Sequence, residues 1–289
     1  MRASRVLDSV EGYGRHDHLC LAFDNADEYA ARARDFLADG LAQGLQVHYV
    51  FDGGTHTDAS IQSIRDRLFA ELAPRRADAL KVTSIRSTYG VGHVVSAEDQ
   101  IAIYAKATSA ALAAGFTGFR VAADITALVT TPEQLDAVAH YEHLIDRYMS
   151  RHPMSAMCAY DRSVLGSGAV TRVGCIHPVS NVGTSFRWHA ADPVASPTSE
   201  AVALALTGEV DRSTYDLLRV ALDRTDIARG QPVVLDVAGL TFVDHHALAA
   251  VDDLGRRYDT QIAVLNAGHM VGRIAEIMEF EHLTIGRPE

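Results

Sequence analysis

Two pairs of residues in the first 180 positions have side chains and a spacing that could bring them around a metal ion. His16 and His18 lie two positions apart at the start of a short apolar run, and Cys175 and His177 have the same spacing further along. Residues two apart on a strand point to the same face, so the two pairs could meet if their segments lie side by side. The alternative is that His18 and His177 hydrogen-bond the sheet edge and fix its loops. We favour that alternative, because no compact zinc motif is present, and we expect no cofactor.

A second set of polar residues follows apolar segments that are typical of buried strands. Asp124 comes directly after such a segment, and Tyr160 and Asp161 close the next one. Polar groups that converge above an apolar sheet form small-molecule pockets. Together with His18 and His177, these residues are the candidate ligand-binding set. For Asp124, a role as the cap of the following turn is an equal alternative.

The chain lacks the motifs of the common α/β enzymes. The sequences GxxxxGK[ST], GxGxxG, GxSxG and HExxH are all absent. The turn after the first predicted strand contains Asp24, Asp27 and Glu28 and no lysine, so it would repel a nucleoside triphosphate. We therefore expect a protein that is not an enzyme. A degenerate α/β enzyme or metal-binding protein that uses His16, His18, Cys175 and His177 remains the alternative.

The composition indicates which classes of molecule the protein could bind and in which cellular compartment it would occur. The formal net charge is −11, which disfavours direct contact with nucleic acid, since such binding needs a basic surface. No apolar run reaches the roughly 18–20 residues of a membrane span, and the N-terminus has no apolar core of a secretory signal. Three widely spaced cysteines favour buried free thiols over disulfides. We expect a cytoplasmic protein that binds other proteins or small molecules.

Alternating strand and helix patterns predict two α/β units, at residues 12–180 and 185–289. The stretch 179–200 contains prolines and small polar residues without helical periodicity, which is typical of a boundary. The predicted strands of the first unit are His18–Phe23, Gln46–Phe51, Leu80–Ile85, Phe119–Ala123, Ser155–Tyr160 and Arg172–Ile176. Those of the second are Ser185–His189, Ala201–Leu206, Pro232–Val237, Gln261–Leu265 and His282–Ile285.

The first unit resembles MEDS domains, the methanogen/methylotroph sensory domains. The resemblance rests on His18–Phe23, Gly40–Val50, Gly115–Asp124, Tyr141–Ile145 and Cys158–Arg162, and it ends at Pro178. It implies a RecA-like, mostly parallel sheet without a P-loop. It also implies the sensing of a ligand, with small organic compounds as signals, and no defined reaction.

The second unit resembles STAS domains of the anti-sigma-factor-antagonist type. The resemblance rests on the segment Leu206–Asp211, the segment Val233–Asp244 and a helix that begins at Asp244. It implies a smaller α/β domain that binds an anti-sigma factor or a related serine-kinase-like protein. The residues that it implies for partner binding are Gly208, Glu209, Asp211, Asp244, His245 and His246.

One position departs from the pattern of the phosphorylated STAS domains. The residue after Asp244 is a serine in those proteins, where a kinase modifies it, and here it is His245. Thr241 is the nearest hydroxyl-bearing residue and belongs to the preceding turn. Three interpretations stay open, in this order: constitutive binding with control by the sensory unit, a degenerate scaffold, and pH sensing or phosphorylation at His245. The ligand and the partner are not identified, and a homodimer remains open.

Overall fold

The computed structural model describes residues 4–51, 58–89, 94–191 and 201–286. Two sheets with helices packed on them confirm the predicted α/β class. Residues 192–200, which form the second part of the predicted boundary segment, lie outside the described residues.

The first sheet has seven strands in the order β1-β7-β2-β6-β5-β3-β4. Every pairing between its strands is parallel. Parallel sheets are covered by helices on both faces, so their strands are buried along nearly their whole length, and β2, β3 and β6 show this pattern. The strands are β1 Arg5–Val6, β2 His18–Phe23, β3 Gln46–Phe51, β4 Leu80–Ser84, β5 Phe119–Asp124, β6 Met154–Asp161 and β7 Val179–Ser180.

The helices around this sheet begin at residues that satisfy their free amide groups. The Asn25 side chain accepts a hydrogen bond from the Glu28 amide at the start of α1. Thr131 and Gln134 form a capping box at the start of α5. The helices are α1 Ala26–Ala42, α2 Asp58–Leu72, α3 Ile85–Tyr89, α4 Ala97–Ala113, α5 Pro132–Arg151 and α6 Arg162–Gly174.

The second sheet is smaller and mixed. Its parallel strands follow the order β11-β9-β10-β12-β13, and β8 pairs with β9 in the antiparallel direction. Its strands are β8 Phe186–Ala190, β9 Val202–Val210, β10 Val233–Asp236, β11 Leu240–Val243, β12 Ile262–Leu265 and β13 Leu283–Ile285. Its helices are α7 Tyr215–Asp223, α8 His245–Tyr258 and α9 His269–Met278.

The two sheets share packing through α5 and β8. The Ala190 amide donates a hydrogen bond of 2.7 Å to Asp146 of α5, and the Trp188 amide donates one of 2.7 Å to the Cys175 carbonyl. Ala139 and Cys175 belong to the same apolar cluster as the core residues of the second sheet. The buried contacts are therefore continuous from the first sheet to the second.

Two predicted segments have a different structure. Arg172–Ile176 was expected to be a strand, but its residues end α6 and form the turn after it. Gly166 has a φ of 74° inside α6, and this kink separates the apolar end of the helix from its start. Leu240–Val243 was expected to be a loop and forms strand β11 beside β9.

Candidate functional site

A buried polar cluster lies between the first sheet and α5. His18 begins β2, and Cys158 lies in β6, whose Ala156 pairs with His18 in register. Because residues two apart on a strand share a face, Cys158 points to the same layer as His18. Glu142 on α5 and His177 after α6 complete the cluster. Three of these side chains are completely buried and that of Cys158 is nearly so, within an otherwise apolar core.

The four side chains bring their ligand atoms to one point. One ligand atom from each residue lies within 4.8 Å of the other three. The Glu142 Oε2 atom is 3.0 Å from His18 Nε2, 3.4 Å from Cys158 Sγ and 3.6 Å from His177 Nε2. The Cys158 Sγ atom lies 3.6 Å from His18 Nε2. We call these four residues the buried cluster.

Surrounding groups fix the orientation of the buried cluster. The Nδ1 atom of His18 is 3.2 Å from Asp146 Oδ1, and the Nδ1 atom of His177 is 2.7 Å from the Val173 carbonyl oxygen. Both acceptors favour a proton on Nδ1, which directs Nε2 into the cluster. The Tyr160 hydroxyl donates a hydrogen bond of 2.8 Å to Glu142 Oε1.

The charges in the buried cluster follow from these contacts. Burial lowers the pKa of His18, but hydrogen bonds to Asp146 and Glu142 outweigh burial and raise that pKa above its ordinary value. Burial acts to raise the pKa of Glu142, yet His177 and His18 hold it well below its usual range. Burial and the charge of His18 lower the pKa of His177. Burial, with the nearby Glu142, raises the pKa of the Cys158 thiol. These shifts favour the charged forms of His18 and Glu142 and the neutral forms of His177 and Cys158.

The structure corrects the membership of the predicted metal set. His18 and His177 come together, with their ring centroids 4.1 Å apart. His16 instead lies before β2, with Nδ1 2.9 Å from the Met149 carbonyl oxygen, and the Cys175 thiol donates to the Arg172 carbonyl. Neither belongs to the group of ligand atoms within 4.8 Å that the described residues contain. The strand that was expected to present Cys175 and His177 together is a helix end, so their side chains diverge.

The predicted ligand-binding set also divides into two places. Tyr160 joins His18 and His177 at the buried cluster, inside the core and away from the sheet edge. Asp124 and Asp161 lie at the carboxyl ends of their strands, where each accepts hydrogen bonds from the turn that follows. Asp124 therefore caps the turn that follows its strand, through hydrogen bonds that it accepts from Thr126.

A cleft lies at the opposite edge of the first sheet, at the amino ends of β3, β4 and β5. Its volume is about 460 Å³, within the range of small-molecule sites. Leu41, Leu72 and Phe116 supply apolar walls, and the Arg76 guanidinium lies 4.2 Å from the centre of the Phe116 ring. The sequence analysis did not predict a cleft at this edge.

Sequence reasoning missed two members of the buried cluster, Glu142 and Cys158. A signal for Glu142 was present in α5, where it lies on the stripe formed by Val138, Ile145 and Met149. A carboxylate on the apolar face of a helix needs a buried partner. Cys158 gave no such signal, since a cysteine in an apolar strand is ordinarily an inert thiol.

In the second sheet, the two segments expected to bind a partner are neighbours. The Asp244 amide donates a hydrogen bond of 3.1 Å to the Val210 carbonyl, and the Asp244 side chain caps α8 through the Ala247 amide at 2.9 Å. Gly208 has a φ of +87°, and a Cβ atom there would lie 2.2 Å from the Ser185 carbonyl oxygen. Only glycine fits at that crossing of β8 and β9.

The start of α8 is open to solvent. His245 and His246 are exposed, with ring centroids 4.0 Å apart. Glu209 and Asp211 are also exposed, and Phe242 keeps 44% of its surface accessible. We call this surface, formed by Gly208, Glu209, Asp211, Phe242, Asp244, His245 and His246, the α8 face.

The α/β domain that is built on the parallel sheet matches a known family of sensory domains. Residues 17–178 match the family described as MEDS, the MEthanogen/methylotroph, DcmR Sensory domain. The match spans more than half of the chain, and the chain belongs to the MEDS family. The comparison with curated proteins gives no match. Every residue of the buried cluster falls within the matched segment, which gives the chain a sensory domain.

Among the described residues, none of the helices is long and apolar enough to cross a bilayer.

Proposed function

We propose that this chain is a cytoplasmic signalling regulator. In this proposal the MEDS domain senses a small molecule or a metabolic state, and the second sheet is a STAS-like module that binds an anti-sigma factor or a related serine-kinase-like protein. The observation that carries the docking half of the proposal is the exposed start of α8 beside the Gly208–Asp211 segment.

The chemistry of the α8 face suits a protein partner. A helix start presents free amide groups and a partial positive charge, and here Asp244 occupies one of those amides. The exposed ring of Phe242 offers a partner an apolar contact on a surface that also carries acidic and imidazole side chains. Interfaces commonly combine such an aromatic anchor with a polar rim.

Control by serine phosphorylation is not available at the first residue of α8, since that residue is His245. We place the control in the sensory domain instead, with constitutive binding as the basal state. The hydrogen bond from Ala190 in β8 to Asp146 in α5 supports this proposal, because α5 also carries Glu142 of the buried cluster. A signal that displaces α5 would change the support of β8, which pairs with β9 up to Gly208.

The test is protein capture from the lysate of the source cells with the full chain and two variants. His245→Glu places a negative charge at the first residue of α8. His269→Glu makes the same change at the first residue of α9, another exposed helix start, and serves as the matched control. We expect the wild type and His269→Glu to recover the same anti-sigma-type kinase, and His245→Glu to bind it at least about 10-fold more weakly, since a misplaced charge in an interface costs several kcal/mol.

Equal recovery by all three proteins would place the docking surface away from the α8 face. If none of the three recovers a kinase-like protein, the docking proposal fails, while the sensory role of the MEDS domain is unaffected.

A further inference from the structure

The buried cluster has the composition and spacing of a metal-binding site. Two imidazole nitrogens, one thiolate sulfur and one carboxylate oxygen are the ligands that zinc and similar divalent transition metals take in proteins. A tetrahedral ion with bonds of roughly 2.0–2.3 Å would hold its ligand atoms about 3.3–3.7 Å apart. Three of the separations in the buried cluster are 3.4, 3.6 and 3.6 Å, and the one between His18 Nε2 and Glu142 Oε2 is shorter, at 3.0 Å. The ligand atom of His177 lies within 4.8 Å of those of His18 and Cys158. The side chains therefore lie close to ligand spacing.

The contacts within the buried cluster leave one polar atom unsatisfied. His177 Nε2 is completely buried and forms no hydrogen bond, and its 3.6 Å separation from Glu142 exceeds hydrogen-bond length. An unsatisfied buried polar atom costs about 1–3 kcal/mol. The Nδ1 atom of the same ring is already engaged by the Val173 carbonyl, so the ring cannot rotate without losing that bond. A metal ion is the partner that would satisfy Nε2 where it now points.

The groups behind the ligands are those that accompany metal-binding histidines. A ligand histidine usually donates its second ring N–H to a carboxylate or a backbone carbonyl. Asp146 takes this place for His18, and the Val173 carbonyl takes it for His177. Tyr160 holds the far oxygen of Glu142, which leaves the near oxygen for the ion.

We propose that His18, Glu142, Cys158 and His177 bind one divalent transition metal ion, of which Zn²⁺ is the representative. The Glu142 carboxylate and the Cys158 thiolate balance the two positive charges, and the thiol proton of Cys158 and the Nε2 proton of His18 leave to solvent as the ion binds. Four protein ligands in a closed, buried site define a structural ion that ties β2, α5, β6 and the turn after α6 together. The proposal stands independently of the docking partner.

The experiment is metal titration of the full chain after treatment with a chelator. Cobalt(II) is the spectroscopic probe, since a thiolate ligand gives a charge-transfer band that oxygen and nitrogen ligands do not. We expect one cobalt or zinc ion per chain, a thiolate band with cobalt, and a rise in Tm with Zn²⁺ but not with Mg²⁺.

Matched variants assign the ligands. We expect Cys158→Ser to lose the thiolate band and His177→Gln to bind zinc with an affinity reduced by more than the roughly 10- to 100-fold typical of outer groups. Cys175→Ser and His16→Gln change a buried thiol and a nearby imidazole outside the buried cluster, and we expect them to retain full binding.

Either of two results would overturn the proposal. The first is a wild-type chain that takes up no stoichiometric cobalt or zinc, which is decisive even if a variant fails to fold. The second is loss of binding in Cys175→Ser or His16→Gln with retention in Cys158→Ser, which would assign the ion to the other set of residues.

Discussion

Glu142 is a buried carboxylate around which the polar side chains of this core are arranged. It is a completely buried carboxylate that receives Tyr160 on one oxygen and His18 on the other. Isolated buried charges are very unfavourable, so this arrangement persists because each neighbour satisfies a specific atom. Removing one of these neighbours should therefore lower the free energy of unfolding by more than the loss of a hydrogen bond between two neutral groups does.

We expect Tyr160→Phe to lower the free energy of unfolding of the chelator-treated protein by about 1.5–3 kcal/mol, the usual contribution of a hydrogen bond to a charged group. Tyr104→Phe is the control, because the Tyr104 hydroxyl lies 2.9 Å from the neutral hydroxyl of Tyr89. Its loss should be about 0.5–1.5 kcal/mol. Urea unfolding measures both values, and a smaller loss in Tyr160→Phe than in Tyr104→Phe would contradict a charged Glu142.

Among the helices, α5 contacts both sheets and carries three buried ionisable groups within about one turn, those of Glu142, His143 and Asp146. Glu142 and Asp146 lie one turn apart and both contact His18. His143 lies between them in sequence, is buried, and has no hydrogen-bond partner on either ring nitrogen. Arg147, Asp146, His140 and His189 are the ionisable groups that act on it. Two carboxylates of α5 therefore pair with His18, whereas the buried imidazole of His143 on the same helix forms no hydrogen bond.

His143 should make the fold sensitive to acid. Burial, followed by the nearby Arg147, lowers the pKa of His143 to about 3. The unfolded chain binds a proton near pH 6.5 and the folded chain does not, so stability falls as pH decreases from about 6.5 towards 3, by up to about 1.4 kcal/mol per pH unit. We expect His143→Leu and His143→Gln to flatten this slope, although their absolute stabilities will differ. Denaturant unfolding at several pH values measures the slope of unfolding free energy against pH. The same slope in the wild type and both variants would show that the folded chain protonates His143 as readily as the unfolded chain does.

Most of the elements were predictable from the sequence because apolar periodicity and caps are local. The strand His18–Phe23, the Thr131 capping box and the Asp244 cap all occur where the residues indicate. The segment Arg172–Ile176 was mistaken for a strand because three apolar side chains in a short run do not distinguish a strand from a helix end. The kink at Gly166 also interrupts α6, so the segment lacks one continuous helical pattern in the sequence.

The candidate site was less predictable because its members come from four elements. Two histidines were found by their position, but pairing them with Glu142 and Cys158 requires the packing of α5 over β2 and β6. Spacing along the chain favoured Cys175, which lies two positions before His177, but in the fold its thiol donates to the Arg172 carbonyl instead. Proximity in sequence and proximity in space differ most where a helix closes over a parallel sheet.

At the scale of the whole molecule, the MEDS domain and the second sheet are joined by buried contacts. The family match ends at residue 178, and β8 of the second sheet begins at Phe186. Asp146 accepts from His18 through one oxygen and from the Ala190 amide through the other. One carboxylate therefore connects the buried cluster to the strand beside β9, and we propose that this connection regulates the α8 face.

Asp146→Asn tests that connection without substituting any residue of the α8 face or of the buried cluster. An amide has one acceptor and one donor, whereas both neighbours of Asp146 donate, so one of the two contacts must be lost. Asp39→Asn is the control, since Asp39 pairs with Arg120 in the first sheet's own layer.

The measurement is the Kd of the captured partner for the full-length wild type and these two variants. We predict that Asp146→Asn changes the Kd by at least about 5-fold, the lower range of coupling between sites, while Asp39→Asn leaves it unchanged. A Kd for Asp146→Asn equal to that of the wild type would contradict the account, because the sensory domain would then have no influence on docking through α5.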